Sequence, residues 1–194
     1  GHPKPFPLKY LEVGNEHHGP RYAERYNRYR DAIKAKYPEI QVVASMGIGD
    51  RNGWTLSRMV KPDVIDEHAY KAAWWAMSNF DHHDSYPRGE WPVYIGEFAT
   101  NGNVGAGNML ATVCDAVYMM GLEKNADLVR MASYAPLLVN VNQPNWGVNL
   151  IHFDASRSFG RASYYACRMF AENRPTRTLD TVVKSVPREE VKPL

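Results

Sequence analysis

The sequence lacks the features that define several broad classes of protein. Its 23 Lys and Arg nearly balance its 21 Asp and Glu, so the net charge of +2 neither implies nor excludes an acidic partner. Two cysteines, Cys114 and Cys167, are too few for a disulfide framework, and each lies in an apolar helical pattern typical of a small core residue. No apolar run reaches the ~18 residues of a membrane-spanning helix. The 194 residues, 44% of them hydrophobic, are enough for a buried core in one domain or slightly more.

Strand-like and helix-like segments alternate along the chain. Short apolar runs predict strands at 8–13, 40–46, 63–70, 93–100 and 128–139. Apolar residues at helical spacing predict helices at 22–33, 72–80, 110–122 and 162–172. The third of these helices carries an apolar stripe, which comprises Leu110, Val113, Cys114, Val117, Tyr118 and Leu122. Strands separated by helices indicate a parallel sheet, and continuous apolar runs suit strands that are covered on both faces.

Polar and ionisable residues stand at the ends of several predicted strands. Asn15 and Glu16 follow one strand, His68 and Tyr70 end another, and Glu97 ends a third. In (β/α)8 barrels, catalytic groups come from the C-terminal ends of several different strands. A doubly wound sheet would instead place a Gly-rich phosphate loop after its first strand, and the segment GNEHHG is not such a loop. We therefore predict an α/β fold of the TIM-barrel type.

Two of these strand ends carry a glutamate, Glu16 and Glu97. Because the C-terminal ends of the parallel strands all lie at one end of a barrel, the two side chains can face each other although they are far apart in the sequence. Glycoside hydrolases use a pair of carboxylic acids on opposite sides of a pocket. One protonates the leaving oxygen, and the other attacks the sugar or activates water. The alternative is a pair of surface or ion-paired glutamates, and spacing alone leaves both interpretations open.

Motifs spread along the chain resemble glycoside hydrolase family 51, the α-L-arabinofuranosidases. They are KYLEVGNE, VYIGEFAT, GLEKNADLVRMASYAPLLVN and NWGVNLI, and the similarity extends from about residue 2 to residue 173. Members of this family belong to a clan of retaining (β/α)8 glycosidases, with an acid/base after barrel strand four and a nucleophile after strand seven. The resemblance therefore implies a retaining glycoside hydrolase.

The resemblance also implies a role for each residue that matches a motif. Glu16 would be the general acid/base and Glu97 the nucleophile. Asn15 would bind the sugar 2-hydroxyl. The Tyr70 hydroxyl would orient the nucleophile, and His68 would line the site near the acid.

By the same resemblance, Trp146 and Asn149 would contact the sugar from the loop after barrel strand eight. Glu97 would attack the anomeric carbon of a terminal arabinofuranose while Glu16 protonates the departing oxygen. The same Glu16 would then activate the water that releases the sugar with retained configuration, which requires carboxyl groups roughly 5–5.5 Å apart. The expected partner is an arabinofuranosyl oligo- or polysaccharide such as arabinan or arabinoxylan, which favours an extracellular or periplasmic location. No cofactor and no metal are expected.

The length of the chain predicts an incomplete barrel. A whole (β/α)8 barrel takes about 250 residues, more than the 194 present. Matched to the family, residues 1–173 would be the C-terminal part of the catalytic barrel, strands four to eight. Residues 174–194 would be a linker or the first strand of a C-terminal β-sandwich. An incomplete barrel has unpaired edges, which favour association, so a homo-oligomer is one expectation. We interpret the chain as part of a longer polypeptide.

Other functions fit the sequence less well. The histidine doublets, His17-His18 and His82-His83, could hold a metal, but adjacent residues rarely point at one ion and no HExxH pair is present. The segment RYAERYNRYR mixes Arg with Tyr as nucleic-acid surfaces do. Its tyrosines, however, follow a helical stripe that would face the barrel, so we expect no nucleic-acid partner. The rivals that stay open are another glycosidase of the same clan, a β-xylosidase or an endoglycanase, and a carbohydrate-binding remnant without catalysis.

Overall fold

The computed structural model describes residues 3–47, 61–102, 107–179, 181 and 184. The chain divides into two compact units, Gly1–Ala69 with Arg88–Gly96 and Tyr70–Pro87 with Glu97–Leu194. Two strands, β3 (Val64–Ala72) and β4 (Val93–Gly102), begin in the first unit and continue in the second.

The first unit is built on parallel strand pairing. Besides the first parts of β3 and β4, it contains β1 (Tyr10–Val13), α1 (Pro20–Lys36) and β2 (Gln41–Ser45). Its strands are hydrogen-bonded in the order β1-β2-β3-β4. β1 pairs in parallel with β2, and β2 in parallel with β3, where Ser45 lies opposite Asp66. The apolar runs of β2 and β3 are buried, as expected of strands that are covered on both faces.

Helix α1 is fastened to this sheet by tyrosines. Pro20 occupies its first turn, where a proline φ is already helical. The hydroxyls of Tyr22 and Tyr26 donate to the carbonyls of Val13 and Val42, at 2.6 and 2.7 Å. The prediction that Tyr29 belongs to the buried stripe is wrong, since this residue is 62% exposed. The buried residues of α1 are Tyr22, Ala23 and Tyr26. Because Ala23 is among them, the centre of the buried face lies on the side of the helix away from Tyr29.

The second unit contains the remaining parts of β3 and β4, and its main strands follow the order β3-β4-β5. Its other elements are α2 (Ala73–Ser78), a 3-10 turn (His82–Ser85), α3 (Met109–Lys124), β5 (Val129–Tyr134), β6 (Leu138–Asn140), β7 (Ile151–Phe153), β8 (Ser158–Gly160) and α4 (Ala162–Glu172). Strands β6, β7 and β8 form a separate small sheet, with β6 parallel and β8 antiparallel to β7. The sequence did not predict this sheet.

Helix α3 buries a broader face than its predicted stripe. Val113 is 50% exposed, so its assignment to the stripe is wrong. Asp115, an acid outside the stripe, is 1% exposed instead. The physical reason is that α3 packs against both α2 and α4, so its buried surface is set by two neighbours.

The strands are longer than predicted where the candidate residues lie. Glu97 is the fifth of the ten residues of β4, and His68 and Tyr70 lie within β3, so the prediction that they end their strands is wrong. Phe98, Ala99 and Thr100 continue β4 beyond Glu97 and are themselves buried.

The chain therefore has a five-stranded parallel sheet and a small second sheet, which confirms the α/β class. Most of the predicted sandwich strand within 174–194 lies outside the described residues. Among the described helices, none has the length and apolar character needed to span a bilayer.

Candidate functional site

The Asn15–Glu16 segment leaves β1 through a strained turn in the first unit. Gly14 has φ +95°, and a Cβ there would lie 3.1 Å from the ring of Tyr22. Glu16 itself has φ +53°, a left-handed conformation that residues other than glycine rarely adopt and that clusters at functional sites. The backbone N–H of His17 donates to the Ser45 hydroxyl at 3.1 Å, which ties this turn to β2. The turn thus presents Glu16 with its side chain about one third exposed, at 34%.

The carboxylate of Glu16 contacts a buried histidine. Its Oε1 lies 3.0 Å from Nδ1 of His68, a residue that is 2% exposed. On the other side of the ring, Nε2 lies 2.8 Å from Oδ2 of Asp66, which is 1% exposed. Asp66 and His68 are two residues apart on β3, so both side chains project from the same face of the strand.

Asp66 has a further partner, the backbone of β4. Its Oδ1 accepts the N–H of Gly96 at 2.7 Å. A Cβ at position 96 would lie 2.2 Å from that oxygen, so only glycine leaves room for the contact. The first unit therefore holds a continuous chain of contacts from Glu16 through His68 and Asp66 to the Gly96 amide.

In the second unit, Glu97 contacts the phenol of Tyr70, whose hydroxyl donates to Oε2 of the carboxylate. The Tyr70 ring packs against Trp146, with centroids 5.0 Å apart and planes inclined by 57°. Trp146 is 42% exposed and offers an aromatic surface to solvent. Asn149 is buried, and its amide donates to the Trp146 carbonyl, so this side chain holds the Trp146 loop in shape.

The structure thus brings the predicted residues together within each unit. Glu16 and His68 meet in the first unit, and Glu97, Tyr70, Trp146 and Asn149 form one cluster in the second. Asn15 is exposed, and its backbone N–H donates to His17 Nδ1 at 3.3 Å.

Sequence reasoning missed Asp66 and Gly96. Asp66 could have been found from the sequence, since it is an acid inside an apolar strand and lies two residues before a candidate histidine. A buried carboxylate needs a partner, and residues two apart on a strand lie on the same face. Gly96 had no comparable signal, since its need for space arises from a side chain 30 residues earlier in the chain.

The histidine doublets have partners of their own. His17 lies at 6.1 Å from the Tyr22 ring in a stacked arrangement. His82 contacts the Tyr86 hydroxyl at 3.1 Å and packs against the rings of Trp75 and His83. His17, His82 and His83 are therefore engaged in aromatic packing within their own units.

Comparison with known proteins identifies the family. The family model described as the alpha-L-arabinofuranosidase C-terminal domain matches residues 89–192, and the alpha-L-arabinofuranosidase 1 domain matches residues 1–88. The chain belongs to the α-L-arabinofuranosidase family. The sequence-based prediction of this family is confirmed.

Individual α-L-arabinofuranosidases match almost the whole chain. An extracellular exo-α-L-arabinofuranosidase of Streptomyces chartreusis is 38% identical over 96% of this chain and 23% of its own length. α-L-Arabinofuranosidase 1 of Arabidopsis thaliana is 36% identical over 95% of this chain and 27% of its own. An arabinose-bound family 51 α-L-arabinofuranosidase structure superposes with a TM-score of 0.77 and 31% identity, covering 89% of this chain and 29% of that one. The chain thus spans about a quarter of the length of these relatives.

Proposed function

We propose that this chain is the C-terminal part of the catalytic barrel of a longer retaining glycoside hydrolase. That enzyme would release terminal α-L-arabinofuranose from polysaccharides such as arabinan and arabinoxylan. In this proposal, β1 to β5 correspond to barrel strands four to eight, residues 1–173 belong to the barrel, and residues 174–194 lead into a β-sandwich. The named activity of the relatives and the five-stranded parallel sheet support it.

Glu97 is the proposed nucleophile and Glu16 the proposed general acid/base. In the first step, a Glu97 oxygen bonds to the anomeric carbon while the Glu16 proton passes to the departing glycosidic oxygen. In the second step, Glu16 takes a proton from water, whose oxygen displaces Glu97 and leaves the sugar with its original configuration. No cofactor takes part in either step.

The observation that carries this proposal is that each glutamate has a specific polar partner from β3. Glu16 contacts His68 at 3.0 Å, and Glu97 accepts a hydrogen bond from Tyr70. A surface glutamate without a function has no need of such a partner, because exposed ion pairs and hydrogen bonds contribute little to stability. A nucleophile and an acid do need their oxygens to be oriented.

The remaining residues are proposed to bind the sugar. Asn15 would hold the 2-hydroxyl through its side-chain amide. Trp146 would stack its exposed ring on the sugar, and Asn149 would support that ring through the carbonyl bond described above.

The experiment that tests this function separates the two glutamates by chemistry. We would assay the 194-residue chain, and a polypeptide of full family length, on 4-nitrophenyl α-L-arabinofuranoside. Because 4-nitrophenolate leaves without protonation, Glu16→Ala should still form the glycosyl-enzyme and should be rescued by azide, giving an arabinosyl azide of retained configuration. Glu97→Ala should lose hydrolysis, and any product that it forms with azide should be an arabinosyl azide of inverted configuration, because azide then attacks the anomeric carbon directly.

The outcomes distinguish the rival functions. Activity on a xylopyranoside in place of the arabinofuranoside would indicate another glycosidase of the clan. Folded protein of both lengths that binds arabinose oligosaccharides without cleaving them would indicate a carbohydrate-binding remnant. Circular dichroism of each variant serves as the control for folding.

A further inference from the structure

The chain of contacts from Glu16 to Gly96 points to a role for a residue outside the proposed catalytic pair. We propose that Asp66 is a positioning residue, which keeps the proton of His68 on Nε2 and so turns the Nδ1 lone pair toward Glu16. This inference rests on the proposed function of Glu16 as acid/base. Asp66 is itself 1% exposed, so it acts through His68 and not on the sugar.

The position of the proton follows from the partners of Asp66. Its Oδ1 accepts the Gly96 N–H at 2.7 Å, and its Oδ2 lies 2.8 Å from Nε2 of His68. A proton between an imidazole and a carboxylate resides on the imidazole, because the nitrogen is ordinarily the more basic of the two. Nε2–H therefore donates to Asp66, and Asp66 accepts from two donors at once.

The phenol of Tyr22, which interacts electrostatically with Asp66, leaves this arrangement intact. The Tyr22 hydroxyl feels the charge of Asp66, but it donates to the Val13 carbonyl at 2.6 Å and accepts from the Ser45 N–H at 2.8 Å. Burial raises the pKa of Tyr22, so the phenol keeps its proton.

The consequence for Glu16 concerns its proton. With Nε2 protonated, Nδ1 of a neutral His68 carries a lone pair directed at Glu16 Oε1, 3.0 Å away. That lone pair accepts a hydrogen bond from a protonated carboxyl and repels an ionised one. A hydrogen bond between Nδ1 and Oε1 fixes the orientation of the carboxyl group that is proposed to protonate the leaving oxygen.

The Gly96 amide makes the proposal testable by a single isosteric change. In Asp66→Asn, the N–H of Gly96 selects the side-chain orientation in which the amide oxygen faces it. The amide NH2 then faces Nε2 of His68, which must become an acceptor. The ring proton moves to Nδ1, and Glu16 Oε1 now faces a donor in place of an acceptor.

The test is 15N NMR of the 194-residue chain labelled at histidine, because protonated and unprotonated ring nitrogens resonate far apart. The spectrum of His68→Gln assigns the His68 signals among the seven histidines. We expect Nε2 to be protonated in the wild type and in Glu16→Gln, and unprotonated in Asp66→Asn. An unprotonated Nε2 in the wild type, or a protonated one in Asp66→Asn, would overturn the proposal. If Asp66→Asn does not fold, the wild type and Glu16→Gln still decide it, through the state of Nε2.

Asp63→Asn is the matched control. Asp63 lies in the same unit and also accepts a backbone N–H, that of Val42 at 2.8 Å, but its ion-pair partners are Lys34 and Arg30. This variant should leave the His68 signals unchanged.

Kinetics on whichever form of the enzyme is active provide a second readout. Asp66→Asn should lower kcat by about 10²-fold with little change in KM, because Asp66 does not touch the sugar. Asp63→Asn should retain kcat. Absence of arabinofuranosidase activity in every form would overturn the proposed function, while the NMR result would still decide the role of Asp66 in holding the His68 proton. Activity that survives Asp66→Asn unchanged would overturn only the positioning role.

Discussion

Asp115 on α3 accepts a hydrogen bond of 2.6 Å from the hydroxyl of Ser163 on α4. Its other oxygen accepts the Thr100 N–H of β4 at 2.8 Å. One buried carboxylate thus connects two helices and a strand of the second unit, and both bonds are made where water is excluded.

Replacing this carboxylate should destabilise the second unit. Asp115→Ala leaves the Thr100 N–H and the Ser163 hydroxyl without their acceptor, which should lower the free energy of unfolding by about 3 kcal/mol. Urea denaturation measures this loss. Asp31→Ala, at an exposed acid of α1, is the control and should change the free energy of unfolding by less than about 0.5 kcal/mol.

The same residue predicts a pH dependence of stability. Burial raises the pKa of Asp115 above its ordinary value of 3.8, although the Ser163 and Thr100 hydrogen bonds oppose the shift. The folded state therefore binds this proton more tightly than the unfolded chain. The stability it contributes is present below the unfolded pKa and is lost as the pH rises through the folded one. We therefore expect the wild type to lose stability relative to Asp115→Asn when the pH rises from about 4 to about 7. The measurement is the free energy of unfolding of both proteins at the two pH values. An equal difference between the proteins at both pH values would contradict the raised pKa of Asp115.

The contact between Asp66 and Gly96 predicts a steric coupling. Gly96→Ala places a methyl group 2.2 Å from Asp66 Oδ1, so it should destabilise the first unit by about 1–3 kcal/mol. In an Asp66→Ala background the obstructing oxygens are gone, and the same change should be nearly neutral. A double-mutant cycle by urea denaturation measures this coupling, and strictly additive effects would show that the clash is relieved elsewhere.

Two tyrosines of α1 offer a paired test of burial. Tyr26→Phe removes the 2.7 Å hydrogen bond to the Val42 carbonyl, which still accepts the Asp63 N–H at 3.2 Å. The expected loss is therefore about 1 kcal/mol. Tyr29→Phe, on the exposed face, should be neutral. Equal effects on thermal unfolding would contradict the placement of the two residues.

Tyr70→Phe tests the orientation of the proposed nucleophile. It removes the hydroxyl that donates to Glu97 while leaving the ring against Trp146. A hydrogen bond to a charged group contributes about 1.5–3 kcal/mol, so kcat/KM on 4-nitrophenyl α-L-arabinofuranoside should fall about 10- to 100-fold. Tyr29→Phe again serves as the control, and an unchanged kcat/KM in Tyr70→Phe would remove this role.

Local pattern was sufficient to predict the main elements. The apolar runs at 40–46 and 63–70 form β2 and β3, and residues 162–172 form the last helix as predicted, because amphipathic period and strand-like runs are properties of contiguous residues. The strands of the small sheet, such as Ser158–Gly160, escaped prediction because three residues are too few to display a period.

Burial of a particular side chain was less predictable. Tyr29 and Val113 follow the helical spacing of their buried neighbours but face solvent. Helical spacing predicts that such residues lie on one side of a helix, but the element that packs against the helix determines how much of that side is buried.

The sequence by itself determined the family, the α/β class and the identity of the candidate glutamates, because motifs and hydrophobic periods involve residues that are close together in the chain. Only the tertiary structure decided the partners of those glutamates. His68 lies 52 residues from Glu16, and Asp66 meets the Gly96 amide 30 residues farther along the chain. Such contacts depend on strand register and on the space left where a side chain is absent, which are properties of packed elements and not of any local pattern.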